Sequence, residues 1–433
     1  MYKKGSRDEV SSYRPISVVP ILGKVIEKVA QTQIMDYFEA SGLFTNTQHG
    51  FRRGKSTVTA LISLVEDIQE SFEDSKSTAL VLCDLSKAFD CVAHEILINK
   101  CRLYGMDGPV LQLIGSYLEG RSQVVAVNGA KSSPAKIRYG VPQGSVLGPT
   151  LFLILMNDLG IEGSSLLFAD DSTLYSSGQT PDLASAEAES LFHRAKQWFQ
   201  GNKLNLNEAK TQRLMCTLSR NHPSSDDPVK LLGFMIDSKL NWDAHISDVC
   251  KKLSRVTYLL RKLKHEITAE YLLVAYHSLF HSHLSYGIVL WGHASGCERV
   301  LTLQKQALRI ITNSKKNEHC KPLFIQLKVL TIYNHYILSC LVYVKENIGN
   351  WPMRHQVHNH NLRNGTALNT NRYRLSKTRD SFPAIGISLF NALHETVRQL
   401  EVDTFKTKVR SWLLSNPFYS IKEFKDSARL FIL

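Results

Sequence analysis

Residues 164–175 run apolar, break at Ala169-Asp170-Asp171, and turn apolar again. This pattern reads as a β-hairpin with the two acids at its tip. A second short apolar run, residues 78–83, ends at Asp84 and reads as a buried strand. If both belong to one sheet, Asp84, Asp170 and Asp171 converge at strand ends. Three carboxylates so placed repel one another unless divalent cations lie between them. Two-metal phosphoryl transfer requires such a set: with ions about 3.5–4 Å apart, one activates an attacking hydroxyl and the other holds a triphosphate and its leaving pyrophosphate. Mg²⁺ suits oxygen ligands and keeps waters that substrate phosphates can replace. An Asp-Asp pair is also ordinary turn chemistry, so the pair alone decides nothing.

Periodicity supplies the surroundings. Apolar residues at helical spacing (Ile21, Val25, Ile26, Val29, Ile34, Tyr37, Phe38) predict a helix over 21–39, closed by Ser41-Gly42. Further helices are expected over 58–72, 94–104, 109–118, 150–159 and 182–200. A hairpin is expected from 123–128 and 135–139, and a single strand over 231–237. Beyond Trp242 the pattern is mainly helical: Val249, Leu253, Val256, Leu259, Leu260 and Leu263 form an apolar stripe interleaved with Lys251, Lys252, Arg255, Arg261, Lys262 and Lys264. Residues 351–380, rich in Asn, Arg and His, read as a linker or extended basic segment, and a last helix is expected over 402–414. The fold class is therefore α+β over residues 1–237 and mainly α beyond.

Charge divides along the same line. The 433-residue chain has 52 Lys+Arg and 39 Asp+Glu, a net charge of +13. Residues 1–240 hold 25 cations and 26 acids, whereas residues 241–433 hold 27 and 13. A balanced, carboxylate-bearing part thus precedes a basic one, the pattern of a protein that meets a polyanion. The eight cysteines are scattered without a C-x-x-C pair, which fits reduced thiols. No apolar stretch is long enough to span a bilayer, and Met1 to Gly5 shows no signal-peptide core. Gly140, Gly144 and Gly148 make no phosphate loop, because no Lys-Ser/Thr follows. His277, His281, His283, His293 and Cys297 contain no complete four-ligand zinc pattern.

Seven segments in order resemble the motifs of reverse transcriptases. Ser12-Tyr13-Arg14-Pro15-Ile16-Ser17 and Gln48-His49-Gly50-Phe51-Arg52 are similar to the two fingers motifs. Asp84-Leu85-Ser86-Lys87-Ala88-Phe89-Asp90 resembles the first catalytic-aspartate motif, Gly140 to Pro149 the nucleotide-binding motif, and Phe168-Ala169-Asp170-Asp171 the F/Y-x-D-D box. Lys203 to Thr211 resembles the later lysine motif and Leu231-Leu232-Gly233-Phe234 the primer grip. Their wording is most like non-LTR (LINE-type) retrotransposons, and Leu303 to Arg309 and Phe382 to Leu393 are similar to the jockey-type group.

The resemblance implies a right-hand polymerase: fingers and palm with an antiparallel sheet over 1–240, a helical thumb and connection over 241–350, and a basic C-terminal segment ending in a helix over 351–433. It implies an RNA-directed DNA polymerase that extends a DNA primer with dNTPs on an RNA template. Two Mg²⁺, or Mn²⁺ in their place, would be held by Asp84, Asp170 and Asp171. Lys210 would protonate pyrophosphate. Phe89 would reject a ribose 2′-hydroxyl, with Gln143 and Gly144 beside the nucleotide and Arg14 and Lys24 on its triphosphate. Arg52, Arg53 and Lys55 would meet template phosphates, and Gly233, Lys251, Lys252 and Arg255 the template–primer duplex, read by shape and backbone. Asp90, ahead of a helix, reads as an N-cap. His355, His358 and His360 read as surface or RNA-facing. The family's setting is nucleus and cytoplasm, without membrane partners. Relative to full-length LINE-type proteins, an endonuclease ahead of the polymerase is missing, so a fragment or truncated copy is expected. A decayed or domesticated copy that only binds nucleic acid is the alternative.

Overall fold

The computed structural model describes residues 2, 5–9, 12–127, 129–159, 164–219, 227–357 and 366–431. Met1–Leu64 with Lys76–Pro223 form one unit, and Val65–Ser75 with Ser224–Leu433 form a second.

In the first unit the main elements are α1 (Ile21–Ala40), α2 (Thr57–Glu73, whose last turns belong to the second unit), β1 (Ser77–Cys83), α3 (His94–Leu103), α4 (Gly108–Leu118), α5 (Gly148–Met156), β2 (Ser164–Phe168), β3 (Asp171–Gly178), α6 (Pro181–Gly201) and β4 (Gln212–Cys216). The sheet runs β2-β3-β1-β4, antiparallel throughout. β1 lies inside it and is buried at all seven positions, which is why its sequence is continuously apolar instead of alternating. α6 covers β1 and β3 with a stripe at three- and four-residue spacing (Ala184, Ala188, Leu191, Ala195, Phe199). It starts where Thr180 accepts a hydrogen bond from the Leu183 N–H with Pro181 in the first turn. α5 is apolar all round because it is buried all round. The first half of α1 departs from its apolar reading: Ile34 and Phe38 are buried, but Ile21, Leu22, Val25 and Val29 stay exposed.

Two strand expectations are corrected. The hairpin over 123–139 is reduced to two-residue pairs, Ser122–Gln123 with Ala135–Lys136 and Ala126–Val127 with Ala130–Lys131. The single strand over 231–237 is instead a tight hairpin, β5 (Val229–Leu231) and β6 (Phe234–Ile236). Leu232 and Gly233 both take positive φ between them, the geometry of a two-residue turn. β4 and a helix at Ile421–Ser427 were not expected at all.

The long segment of the second unit starts ahead of residue 240 and includes that hairpin, with β6 packed on the next helix, α7 (Asp243–Leu263). α7 buries Ile246, Val249, Leu253, Val256 and Leu260, and packs on α8 (Cys297–Ile311). α9 (Ile332–Glu346) packs on α10 (Ala384–Ala392) and α11 (Val402–Ser415), so residues beyond 350 share its core and do not stand apart. The linker reading of 351–380 fails for its described end. Ala367, Leu368 and Thr378 are buried. Arg374 donates to the carbonyls of Phe72 (2.5 Å) and Glu73 (3.0 Å), and the Glu73 carboxylate accepts the N–H groups of Arg374 and Leu375. His358 and His360 lie outside the described residues; His355 is exposed. Among the described residues no helix is long and apolar enough to cross a membrane.

Candidate active site

The ladder between β1 and β3 ends at Cys83 opposite Ser172. One residue further, Asp84 follows the end of β1 and Asp171 opens β3, and the charge of Asp84 is felt at Asp171, a like-charge neighbourhood that a sheet does not choose for stability. Asp170 sits in the turn, next to Ala169 at φ +57°. The Asp171 side chain opens to solvent. Even so, the surrounding protein, and then the charges of Asp170 and Asp84, push its carboxyl up to about 6. The three sequence-predicted acids therefore share one electrostatic site.

Lys210 joins them through the backbone. The Asn207 N–H donates to the Asp84 carbonyl (2.8 Å) and the Ser86 N–H to the Asn205 carbonyl (2.8 Å), so residues 205–207 pair with 84–86. This brings Lys210 Nζ to 3.8 Å from Asp84 Oδ2, with both side chains exposed.

The nucleotide-motif residues also meet. Val141 N–H donates to the Phe89 carbonyl (2.8 Å) and Gly140 N–H to that of Val92 (2.7 Å). Gly140 takes φ +88°, and a Cβ on it would lie 2.8 Å from the Asp90 carbonyl oxygen, so only glycine fits this approach. Gln143 Nε2 donates to Asp90 Oδ1 (2.9 Å). Phe89 stacks on the fully buried Phe152, ring centroids 4.4 Å apart, which fixes its ring. Gly144, at φ +104°, lies against the Ser17 backbone, and the Ser17 N–H donates to the Gln143 carbonyl (2.8 Å). Arg14 and Lys24 are exposed nearby in sequence.

Asp90 is not an N-cap: the residue before α3 is Ala93, and the Asp90 carboxylate holds Gln143 instead. Arg52 is bonded within the first unit. Its guanidinium is spent on both oxygens of Glu39 (2.9 and 2.6 Å) and on the Thr45 carbonyl (2.8 Å), and it lies over the Phe44 ring. Arg53 is exposed, and Lys55 reaches the Asn46 carbonyl (3.2 Å). In the second unit, Lys251 and Arg255 are exposed on α7, Lys252 pairs with Asp248 (2.8 Å), and Gly233 packs under Tyr286, whose hydroxyl donates to the Leu232 carbonyl (2.7 Å).

Among the described residues no group of three His, Cys, Asp or Glu side chains is placed to hold a metal ion by itself. Mg²⁺ does not need such a group, because it takes one or two carboxylates and fills its shell with water and substrate phosphates. The all-oxygen donor set and the mutual repulsion felt at Asp171 fit such an ion.

The reverse transcriptase (RNA-dependent DNA polymerase) family model matches residues 2–236, more than half of the chain and all seven segments above. The chain belongs to this family. Membership carries a general dependence on divalent metal. The reverse transcriptase chain is 29% identical to a probable RNA-directed DNA polymerase from transposon X-element of Drosophila melanogaster, over 77% of its own length and 39% of the relative's. It is 31% identical to that of transposon BS (72% and 38%) and 28% identical to that of mobile element jockey (71% and 36%), both from the same fly. The jockey-type resemblance stands. The chain spans about two fifths of the length of these relatives. Telomerase from Candida albicans, solved with a fragment of telomeric RNA, aligns at 10% identity and a TM-score of 0.45, over 72% of this chain and 57% of that one.

Sequence reasoning missed the residues that brace the reverse transcriptase site. Glu27, buried on α1, accepts the N–H groups of Val146 (2.6 Å) and Leu147 (3.1 Å) just ahead of α5. Gln48, also buried, accepts the N–H groups of Gly50 and Ala169. A polar residue within an apolar periodicity signalled the first, and the motif itself the second. Neither signal names a partner more than a hundred residues away.

Proposed function

We propose that this chain is an RNA-directed DNA polymerase that adds dNTPs to a DNA 3′-hydroxyl on an RNA template. The observation that carries the reading is Asp84 just past the end of the buried β1, Asp171 at the start of the neighbouring β3, and Asp170 in the turn between β2 and β3, close enough that the charges of Asp170 and Asp84 act on Asp171. Asp84 and Asp170 would ligate two Mg²⁺, or Mn²⁺ in their place, with Asp171 completing the set. Such ions, when bound, would supply activation of the attacking hydroxyl and stabilisation of charge on the transferred phosphoryl group and the leaving pyrophosphate. Lys210, beside Asp84, donates a proton to pyrophosphate. Phe89, held by Phe152, lies under the sugar and excludes a 2′-hydroxyl by shape. Gln143 and Gly144 border the base and triphosphate, and Arg14 and Lys24 supply cations to the latter. Arg53 and Lys55 meet the template, while Gly233, Lys251, Lys252 and Arg255 hold the duplex through phosphates. The nucleus and cytoplasm are the setting that goes with this reading.

Incorporation of dTTP on poly(rA)/oligo(dT) with Mg²⁺ tests it. Wild type should extend the primer, and Asp170→Asn should not. Duplex binding without incorporation by wild type would instead favour a nucleic-acid-binding protein, and equal incorporation by both would remove Asp170 from the site.

A further inference from the structure

Ala169 occupies the turn that presents Asp170 and Asp171, and its φ of +57° is a conformation that alanine adopts at a cost. Something must hold it there. The segment Thr47–Gly50 lies along β2: His49 N–H donates to the Leu167 carbonyl (2.8 Å), Leu167 N–H donates to that of Thr47 (2.9 Å), and Gln48 bridges Leu167 in parallel. At the end of this added strand, Gln48 Oε1 accepts the Gly50 N–H (2.7 Å) and the Ala169 N–H (3.2 Å). Gly50 then passes so close that a Cβ on it would lie 2.4 Å from the Ala169 nitrogen.

The Gln48 side chain is fully buried, and its Nε2 has no hydrogen-bond partner among the described residues. Burying an unmade donor costs free energy that a hydrocarbon of the same shape avoids. What the amide adds at this position is an acceptor for the turn. We infer that Gln48 and Gly50 are positioning residues for polymerisation: they clamp the Ala169 peptide and so aim the Asp170 and Asp171 carboxylates. This rests on the polymerase reading above. The nucleotide pocket is tied together separately, through Phe89, Asp90, Val141 and Gln143. The clamp therefore governs the chemical step and leaves nucleotide binding alone.

Gln48→Met keeps the shape and removes the acceptor. Primer extension should show kcat lowered roughly 10–100-fold, because small misplacements of reacting groups cost that much. KM for dNTP and Kd for template–primer should stay within about two-fold. Hydrogen exchange should quicken in the peptide over residues 166–172 and stay unchanged over 77–83. Gly50→Ala, which retains Gln48 but crowds Ala169, should give the same pattern and serves if Gln48→Met does not fold. Unchanged exchange over 166–172 in a folded variant, or a kcat equal to wild type, overturns the inference, as does a loss carried by KM. Wild type assayed alongside separates the two claims: if it incorporates nothing, the polymerase reading fails, and the exchange result still decides whether the clamp exists.

Discussion

The acid end of the four-stranded sheet and the cationic face of α7 are both dense in charge, yet they are held in opposite ways. At the sheet end the charges are few and each is fixed by backbone: Asp84 by Asn207, the Asp170 turn by its own ladder and Gln48, and Lys210 by the pairing of residues 205–207 with 84–86. Along α7 the cations are many and lie on the exposed face, with Lys252 paired to Asp248, and an apolar stripe secures the helix behind them. Position matters in the first region and number in the second. Phosphoryl transfer needs the former, whereas phosphate binding by counterion release needs only the latter.

Single changes should separate the two regions. Asp84→Asn should have the largest effect, lowering primer extension by roughly 10³-fold or more, since it removes charge from the point where an ion would stabilise the transition state. Residual activity within ten-fold of wild type would mean that charge at this position is not critical. On α7 the corresponding blow is to the hidden face: Leu253→Ala, at a fully buried position, should cost about 2–5 kcal/mol of stability by denaturant titration. Lys251→Ala with Arg255→Ala should change stability by only about 0.5 kcal/mol or less. The same pair should flatten the dependence of log affinity on log salt by roughly 1–2 for a template–primer duplex. A stability loss comparable to Leu253→Ala would show those cations to be structural and break the contrast.

The smallest effect is on pH. Without divalent cation, the Asp171 carboxyl titrates near 6. Its folded pKa lies above its unfolded one, so the folded chain binds the extra proton between about pH 4 and 6, and stability falls as pH rises through that window. Because the side chain is solvent-exposed, the slope should be shallow. Asp170→Asn removes one of the raising charges and should move the Asp171 titration downward in an NMR experiment. An unmoved midpoint would mean that Asp170 and Asp171 do not interact.

Much of this was legible in the sequence. Local chemistry marked β1, the acid-tipped hairpin and the stripe of α7, because a buried strand and an amphipathic helix carry their own periodicity. The motif order identified the family and placed Asp84, Asp170 and Lys210 in one list. Where reading failed, the reason was a partner far along the chain. Arg52 looks like any basic residue until Glu39 appears against it. Asp90 looks like a cap until Gln143 reaches it, 53 residues on. The Leu232-Gly233 turn lacks the usual Asn-Gly or Asp-Gly signal, so its hairpin read as one strand. Residues 366–380 read as linker because polar residues that bond to buried backbone resemble those that face water.

By itself, then, the sequence determined which residues carry charge, which segments bury themselves, and to which family the chain belongs, since these follow from residue type and near-neighbour spacing. Only the tertiary structure decided which charges meet which partners. It set Lys210 beside Asp84, paired Arg52 with Glu39, and put Gln48 under the Ala169 turn. Those outcomes depend on distances across the fold, and hydrogen bonds and ion pairs act only over a few ångströms that no one-dimensional spacing encodes.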